Sequence, residues 1–188
     1  MKKVKFLLIL FVLFTFSLRL SAQVQRSNYL GVNPLGLILN IYSGAYEHIL
    51  EGGEMGVKIP FFYWAPTNDI TMVGAGAYLR KYMSGNGKGG FVGFGANILS
   101  VSWDYVWYSY DWQGYNLVET SHNENITGII LSPKIELGYR WVFKAPFTIA
   151  PSINAGYGIG SIKASDGNSI SYGTGLQWGL GLDFAVAF

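Results

Sequence analysis

Few residues in this chain of 188 have types that could carry out nucleophilic chemistry. There are two histidines, His48 and His122, and no cysteine. The run Ser121-His122-Asn123-Glu124 contains a hydroxyl, an imidazole and a carboxylate, which are the groups that a hydrolase with an activated serine combines. Immediate neighbours in a loop rarely meet in that geometry, so we interpret both histidines as ordinary surface residues. No metal-ligand spacing, phosphate-binding glycine loop or paired acid motif occurs, and we expect no metal and no cofactor.

A second set of polar residues has the spacing of β-strands. Between residues 127 and 143, seven apolar or aromatic residues alternate with polar ones, which predicts a strand with one apolar and one polar face. The same rule, applied to every predicted strand, assigns nine polar residues to a shared face: Glu47, Lys58, Asn97, Lys134, Glu136, Arg140, Asn154, Gln177 and Asp183. Arg80 is assigned to the same face, but it lies in a strand rich in small residues, where the apolar pattern does not show which side chains face inward.

The last stretch, Leu176 to Phe188, is the segment around which the other strands are organised. Large apolar residues fill every even position, with Gln, Gly, Asp and Ala between them. Strands with related patterns precede it at residues 28–38, 41–50, 54–64, 70–83, from 89 onward, 127–143 and 147–163. Pro60, Pro133 and Pro151 lie inside these strands, and proline cannot donate to a ladder, so we expect β-bulges there.

Eight strands with apolar outer faces predict an all-β fold, an eight-stranded antiparallel up-and-down transmembrane β-barrel. Half of the residues are hydrophobic, only 13% are charged, and 25 are glycine. The strands mostly exceed the roughly 9–11 residues that a tilted strand needs to cross a bilayer. A soluble lipocalin-like barrel, which would bind a small apolar ligand inside, is the alternative architecture.

The first 22 residues have the pattern of a cleavable helical signal peptide. Basic residues at positions 2, 3 and 5 precede an apolar run from Phe6 to Phe16, and Ser21-Ala22 supplies small residues for cleavage. Residues 23–188 then form one barrel domain. Removing these three lysines together with Arg19, the fourth basic residue of the leader, lowers the basic count from 13 to 9, against 11 acidic residues. This charge balance gives no indication of nucleic-acid binding.

An aromatic segment lies between the fifth and sixth predicted strands. Its seven large rings are Trp103, Tyr105, Trp107, Tyr108, Tyr110, Trp112 and Tyr115. Their alternation predicts that the fifth strand continues beyond the membrane, turns near Gln113-Gly114 and returns. The resulting external hairpin, residues 104–125, either packs on itself with its rings in the headgroup layer or binds a surface protein or glycan. Aromatic residues at other strand ends, Tyr63, Trp64, Trp141, Phe147 and Trp178, suit interfacial girdles.

Two motifs resemble those of known outer-membrane proteins. The final strand, with Gly181, Phe184, Val186 and Phe188, resembles the signal by which outer-membrane barrels are recognised for assembly. The chain as a whole resembles the small OmpA/OmpX-type barrels. Asn33-Pro34-Leu35-Gly36 followed by Tyr46-Glu47-His48 is similar to a group of uncharacterised outer-membrane barrel-domain proteins. The resemblance implies a bacterial outer-membrane location, with membrane lipid and the barrel assembly machinery as partners, and no catalytic residues.

The favoured function is therefore non-enzymatic: a structural or surface-interaction protein that presents the 104–125 hairpin. An eight-stranded barrel is just wide enough to be filled by its own side chains, so the inward polar set is expected to form a plug. A narrow porin-like pore through that set and a lipid-modifying enzyme with His48 or His122 as its base are the alternatives.

Overall fold

The computed structural model describes residues 27–38, 40–67, 69–113, 116–143, 146–163, 169–170 and 174–188. The predicted signal peptide lies outside these residues. The described chain is almost entirely strand, with one short helix, α1, at Pro34–Ile38. The strands are β1 Asn28–Val32, β2 Ile41–Ile49, β3 Met55–Trp64, β4 Ile70–Tyr82, β5 Gly89–Gln113, β6 Asn116–Val142, β7 Phe147–Lys163, β8 Ser169–Ile170 and β9 Gly175–Ala187.

The sheet closes on itself as a ring. Each of β1 to β7 pairs antiparallel with the next strand, and β9 lies between β7 and β1. The two-residue strand β8 pairs only with the end of β7 among the described residues. Eight strands therefore form the ring, in up-and-down order. The predicted all-β antiparallel fold is confirmed at this level.

One predicted strand is shorter than expected, because residues 28–38 do not form a single strand. The strand ends at Val32, and α1 follows it. The Asn33 side-chain oxygen accepts hydrogen bonds from the Leu35 and Gly36 backbone N–H groups, 3.1 and 3.4 Å away. Asn as a helix cap followed by Pro at the first helical position is a favourable helix start. Asn33-Pro34 therefore marks a helix start, but the apolar residues that follow have a spacing that also suits a strand, which is why a strand was predicted.

The bulges predicted at three prolines are also wrong. The strand registers remain constant across Pro60, Pro133 and Pro151, so no extra residue is inserted. Each proline instead interrupts one of its two ladders: Pro60 the ladder to β4, and the other two the ladder between β6 and β7. In an antiparallel sheet a residue directs its N–H and C=O toward the same neighbour. A missing N–H therefore costs pairing on one side only.

Side chains alternate between an inward and an outward face along every ring strand. Two apolar clusters fill the ends of the interior. One, near the short turns that follow β2, β4 and β6, contains Tyr82, Phe91, Tyr29 and Ile49. The other, at the opposite end, contains Val101, Ile126, Ile130 and Ile162. The end near these short turns is called the turn end below. The opposite end is called the ribbon end, because the two-stranded extension described next projects from it.

Beyond the ring, β5 and β6 continue as a two-stranded ribbon, defined here as Asp104–Gln113 with Asn116–Ile126. The last ring pairings on this side are Ile70 with Trp103 and Lys163 with Thr127. The ribbon strands pair with each other up to Gln113 and Asn116. At about 3.4 Å per residue the ribbon extends roughly 30 Å past the ring. The hairpin expected from the aromatic alternation is thus present as a continuous strand pair.

Candidate functional site

Six of the ten polar residues assigned to the inward face form one ion-pair cluster. The members, hereafter the charged cluster, are Glu47, Lys58, Arg80, Glu136, Arg140 and Asp183. They come from five different strands, β2, β3, β4, β6 and β9. Three cations face three carboxylates, so the cluster is formally neutral.

Arg80 is the centre of the charged cluster and is completely buried. Its guanidinium donates to Glu47 at 2.8 Å and to both carboxylate oxygens of Glu136 at 2.9 and 2.7 Å. A further bond of 3.2 Å reaches Asp183. The guanidinium plane also lies 4.3 Å from the centre of the Phe91 ring. The forked geometry of arginine allows one side chain to join three carboxylates from three strands.

The other two cations of the charged cluster, Lys58 and Arg140, also bind these carboxylates. Lys58 Nζ lies 2.7 Å from Asp183 and 3.4 Å from Glu136. Glu47 accepts hydrogen bonds from Arg140 and from the Tyr82 hydroxyl. Buried charge is costly unless it is paired and hydrogen-bonded, and here every carboxylate has at least two donors.

Inward glycines create the space for these large side chains. A β-carbon on Gly93 would approach the Arg80 side chain to 3.2 Å, and one on Gly56 would approach Glu47 to 2.8 Å. A β-carbon on Gly156 would lie only 2.4 Å from the stem of Lys134. The glycine content is therefore explained in part by a narrow interior in which each long polar side chain lies opposite a residue without a side chain.

The other four predicted interior residues face inward nearer the ribbon end: Asn97, Lys134, Asn154 and Gln177. Three of them, Asn97, Lys134 and Asn154, line a cavity of about 400 Å³ that also contacts Lys58 and Asp183. A second cavity, of about 690 Å³, lies at the turn end, against Tyr29, His48 and Ile49. Arg80, Glu47 and Arg140 contribute to neither lining and lie between the two. The charged cluster thus separates the two described cavities.

The outward face of the ring has the opposite character. Along β6 it presents Ile129, Leu131, Ile135, Leu137, Tyr139 and Trp141, all exposed. Ile135 is 60% exposed, and Trp178 on β9 is 80% exposed. Among the charged side chains described in the ring strands, Lys81 alone faces outward, one residue before the end of β4. Trp64, expected in an outer girdle, instead faces inward, because it lies at an even position of β3, on the same face as Lys58.

The ribbon carries rings on both of its faces. On the inward face, Tyr105 contacts Trp103, the last barrel-ring residue of β5, edge to face, with the centres of the two aromatic rings 5.8 Å apart. Tyr108, Tyr110 and Trp112 continue the outward face and are 54%, 58% and 72% exposed. Tyr115 and the side chain of Trp107 lie outside the described residues.

A polar belt separates the ring's apolar outer face from the ribbon's outward rings. It consists of Ser100, Ser102 and Asp104 on β5 with Asn125 and Thr127 on β6, all on the outward face. Asn125 donates a hydrogen bond of 2.6 Å to Asp104. Val106 and the three rings beyond it form a separate apolar stripe, together with Leu117 on the facing strand.

The two histidines lie near opposite ends of the described structure. His48 lies on β2 near the turn end, with Nδ1 2.9 Å from the Asn28 amide oxygen. His122 lies on the ribbon, with Nε2 2.8 Å from the Ser109 hydroxyl. Ser121 faces the opposite side of the ribbon from His122, as alternation requires, so the run 121–124 does not converge on one site. The Ser109 contact depends on the cross-strand register, which the sequence pattern alone did not supply.

The residues of the C-terminal motif lie where the ring closes. Phe184, Val186 and Phe188 face outward, and Phe184 packs against Phe147 with ring centres 6.2 Å apart. Gly181 faces inward, where a β-carbon would lie 2.5 Å from the Ser152 hydroxyl. Backbone hydrogen bonds between Asn28 and Phe188 join the first strand to the chain's last residue.

Among the residues that the structure describes, no cluster of His, Asp or Glu side chains is arranged to hold a metal ion. Within the same residues, no helix has the length and apolar character that crossing a membrane requires. Comparisons with protein-family models, curated proteins and solved structures find no match to this chain.

Proposed function

We propose that this protein is an eight-stranded transmembrane β-barrel of the bacterial outer membrane, of the OmpA/OmpX type, that is exported by its N-terminal signal peptide. The observation that supports this most strongly is the division of the ring into a charged inner face and an apolar outer face. Leucine, isoleucine and aromatic side chains cover the outside, where they would be an aggregation hazard in water. A soluble ligand-binding barrel requires the reverse arrangement.

The dimensions of the ring support the same proposal. Strands β4 and β9 have 13 residues each. At about 3.3 Å per residue and a tilt of roughly 40°, they rise about 33 Å, which suits the roughly 30 Å hydrocarbon layer of a bilayer. Because the charged cluster fills the middle of the interior, the ring is proposed to act as an anchor rather than as a pore.

The ribbon then carries the protein's activity, which we propose is binding of a polypeptide at the cell surface. The polar belt suits the level of the lipid headgroups, so the stripe of Val106, Tyr108, Tyr110 and Trp112 lies beyond them, in water. Rigid aromatic rings are typical of protein contact surfaces. Among the described residues, the outer edges of both ribbon strands also lack strand neighbours, and such edges pair with an added strand.

A photo-crosslinking amino acid placed at Tyr108 tests this proposal in intact cells. The matched control is Ile98, which lies on the same strand and face but in the apolar band. The expected result is a discrete protease-sensitive adduct from position 108 and none from position 98. No adduct from position 108, or only a protease-resistant, periodate-sensitive adduct, would contradict polypeptide binding; the second result would identify a glycan partner instead.

A further inference from the structure

The two-stranded ribbon has an excess of negative charge. Asp104, Asp111, Glu119 and Glu124 lie on it, and residues 104–126 contain no lysine or arginine. The ribbon thus carries four of the chain's 11 acidic residues and none of its 13 basic ones. Neither Asp111 nor Glu119 forms an ion pair with another described residue. This surface therefore attracts a partner with positive charge and repels one with negative charge.

Glu119 lies opposite the middle one of the three exposed rings on the outward face. It pairs with Tyr110, and the neighbours of Tyr110 on the same face of β5 are Tyr108 and Trp112. All four side chains are exposed. A ring face attracts a cation, and a carboxylate pairs with one. The combination of rings and carboxylate therefore suits the side chain of a lysine or an arginine.

The same residues of β5 supply the open backbone edge of the ribbon. In an antiparallel sheet, the N–H and C=O of one residue point toward the same neighbouring strand. The Asp104 N–H donates a hydrogen bond of 2.8 Å to the Asp69 carbonyl, on the side away from β6. The register with β6 is constant from there to the end of β5, so the even-numbered residues 106–112 also direct their backbone groups away from β6. Among the described residues, no strand pairs with this edge beyond Asp104.

We propose that the partner of the ribbon is an extended basic segment of a polypeptide, which pairs antiparallel with the open edge of β5 and carries lysine or arginine at alternate positions. This inference rests on the proposed polypeptide binding and adds the chemical class of the partner. Side chains directly opposite each other in an antiparallel pair lie on the same face, so every second side chain of the added strand lies beside an outward ring. A second copy of the chain does not fit this edge, because two ribbons with four carboxylates each repel one another.

Three fluorescein-labelled peptides of equal length test the charge preference. Threonine alternates with lysine in the first, with glutamine in the second and with glutamate in the third. Their binding to the full chain, refolded in an uncharged detergent, is measured by fluorescence anisotropy. At low salt we expect the lysine peptide to bind about tenfold more tightly than the glutamine peptide, and the glutamate peptide not to bind; added salt reduces the difference.

The outcomes separate this inference from the proposed function. Equal affinity for all three peptides would overturn the charge preference and retain polypeptide binding. Absence of saturable binding of the lysine peptide would also overturn the inference. In that case a protease-sensitive crosslink from position 108 in cells would show that the proposed function stands without it.

Two variants locate the bound cation on the ribbon. Glu119→Gln is expected to lower the affinity for the lysine peptide roughly threefold, since an exposed ion pair contributes only modestly. Glu51→Gln, which removes an exposed carboxylate at the turn end, leaves the affinity unchanged. Equal affinities of the two variants would contradict the placement beside Glu119.

Methylation of backbone nitrogens in the lysine peptide tests the strand pairing. In the proposed arrangement the lysine N–H groups point toward β5, and the threonine N–H groups point away from it. N-methylation of the lysines is therefore expected to abolish binding, whereas N-methylation of the threonines retains it. Equal binding of the two methylated peptides would overturn the pairing with the open edge of β5.

Discussion

At the scale of single residues, the interior is held by pairings between strands that are distant in the sequence. Glu47 on β2 receives Arg80 from β4 and Arg140 from β6, together with the Tyr82 hydroxyl. Arg140 has no other carboxylate partner in the described cluster. Glu47 is therefore the residue whose loss leaves the most interior charge unsatisfied.

Replacing Glu47 by Gln keeps the side-chain shape but removes that charge. Breaking a buried pair typically costs about 3–5 kcal/mol, because the remaining charge stays buried without a partner. We expect the free energy of unfolding to fall by about 3 kcal/mol, measured by urea unfolding of the chain refolded in phosphatidylcholine vesicles and followed by tryptophan fluorescence. Glu51→Gln, in the exposed turn after β2, is the control. A loss of less than about 1 kcal/mol from Glu47→Gln would mean that the cluster does not hold the ring together.

The sequence predicts which face of its strand most cluster residues occupy, but it does not predict which residues form ion pairs with each other. Strand alternation places Lys134, Glu136 and Arg140 on one face, and the structure has them on that face. Arg80 lies in a strand of small residues with no clear apolar face, so its central position was not apparent. The pairs themselves depend on the register of several strands and on the curvature of the closed ring, which local periodicity does not encode.

At the scale of elements, successive side chains of each ring strand point alternately into the polar interior and onto the apolar outer face. On β6 this puts Ile135 outside, between the inward residues Lys134 and Glu136. A shift of one residue would exchange the two faces completely. The alternation is the same in every ring strand, so it fixes the pairing register of the strands as well as which side chains face outward.

Ile135→Lys tests what surrounds the outer face. A lysine near the middle of a bilayer destabilises a barrel by about 2–4 kcal/mol, whereas one near or beyond the headgroups costs about 1 kcal/mol or less. We expect that loss for Ile135→Lys and almost none for Ser121→Lys, which is on the same strand and face but on the ribbon. Unfolding in lipid vesicles measures both. Equal small effects at the two positions would indicate that the ring's outer face does not contact hydrocarbon.

Element boundaries were predictable except where a local signal competed with apolar spacing. The turns after β2 and β4 contain glycine and fall where the pattern placed them, and of the turn predicted after β6 only Pro146 is among the described residues. The helix after β1 was missed, because Leu35, Leu37 and Ile38 resemble a strand continuation. The prolines were recognised as missing donors, but the sequence could not show which ladder each one interrupts.

At the scale of the whole molecule, the structure is a plugged ring with a ribbon projecting from one end. Both termini of the described chain meet at the turn end, where Asn28 and Phe188 are hydrogen-bonded. The ribbon and the 400 Å³ cavity lie at the other end. In the proposed orientation this end faces the cell exterior, so the proposed polypeptide-binding surface of the ribbon is accessible from outside the cell.

The central claim, a closed barrel embedded in the outer membrane, is tested most directly by heat-modifiability of the protein in fractionated membranes. The mature chain in the outer-membrane fraction is run on a denaturing gel with and without boiling. We predict that the unboiled protein migrates as a compact band distinct from the boiled one, because lipid-embedded strand ladders resist detergent at room temperature. Recovery of the protein in the soluble periplasmic fraction, with no difference between the two samples, would contradict the account.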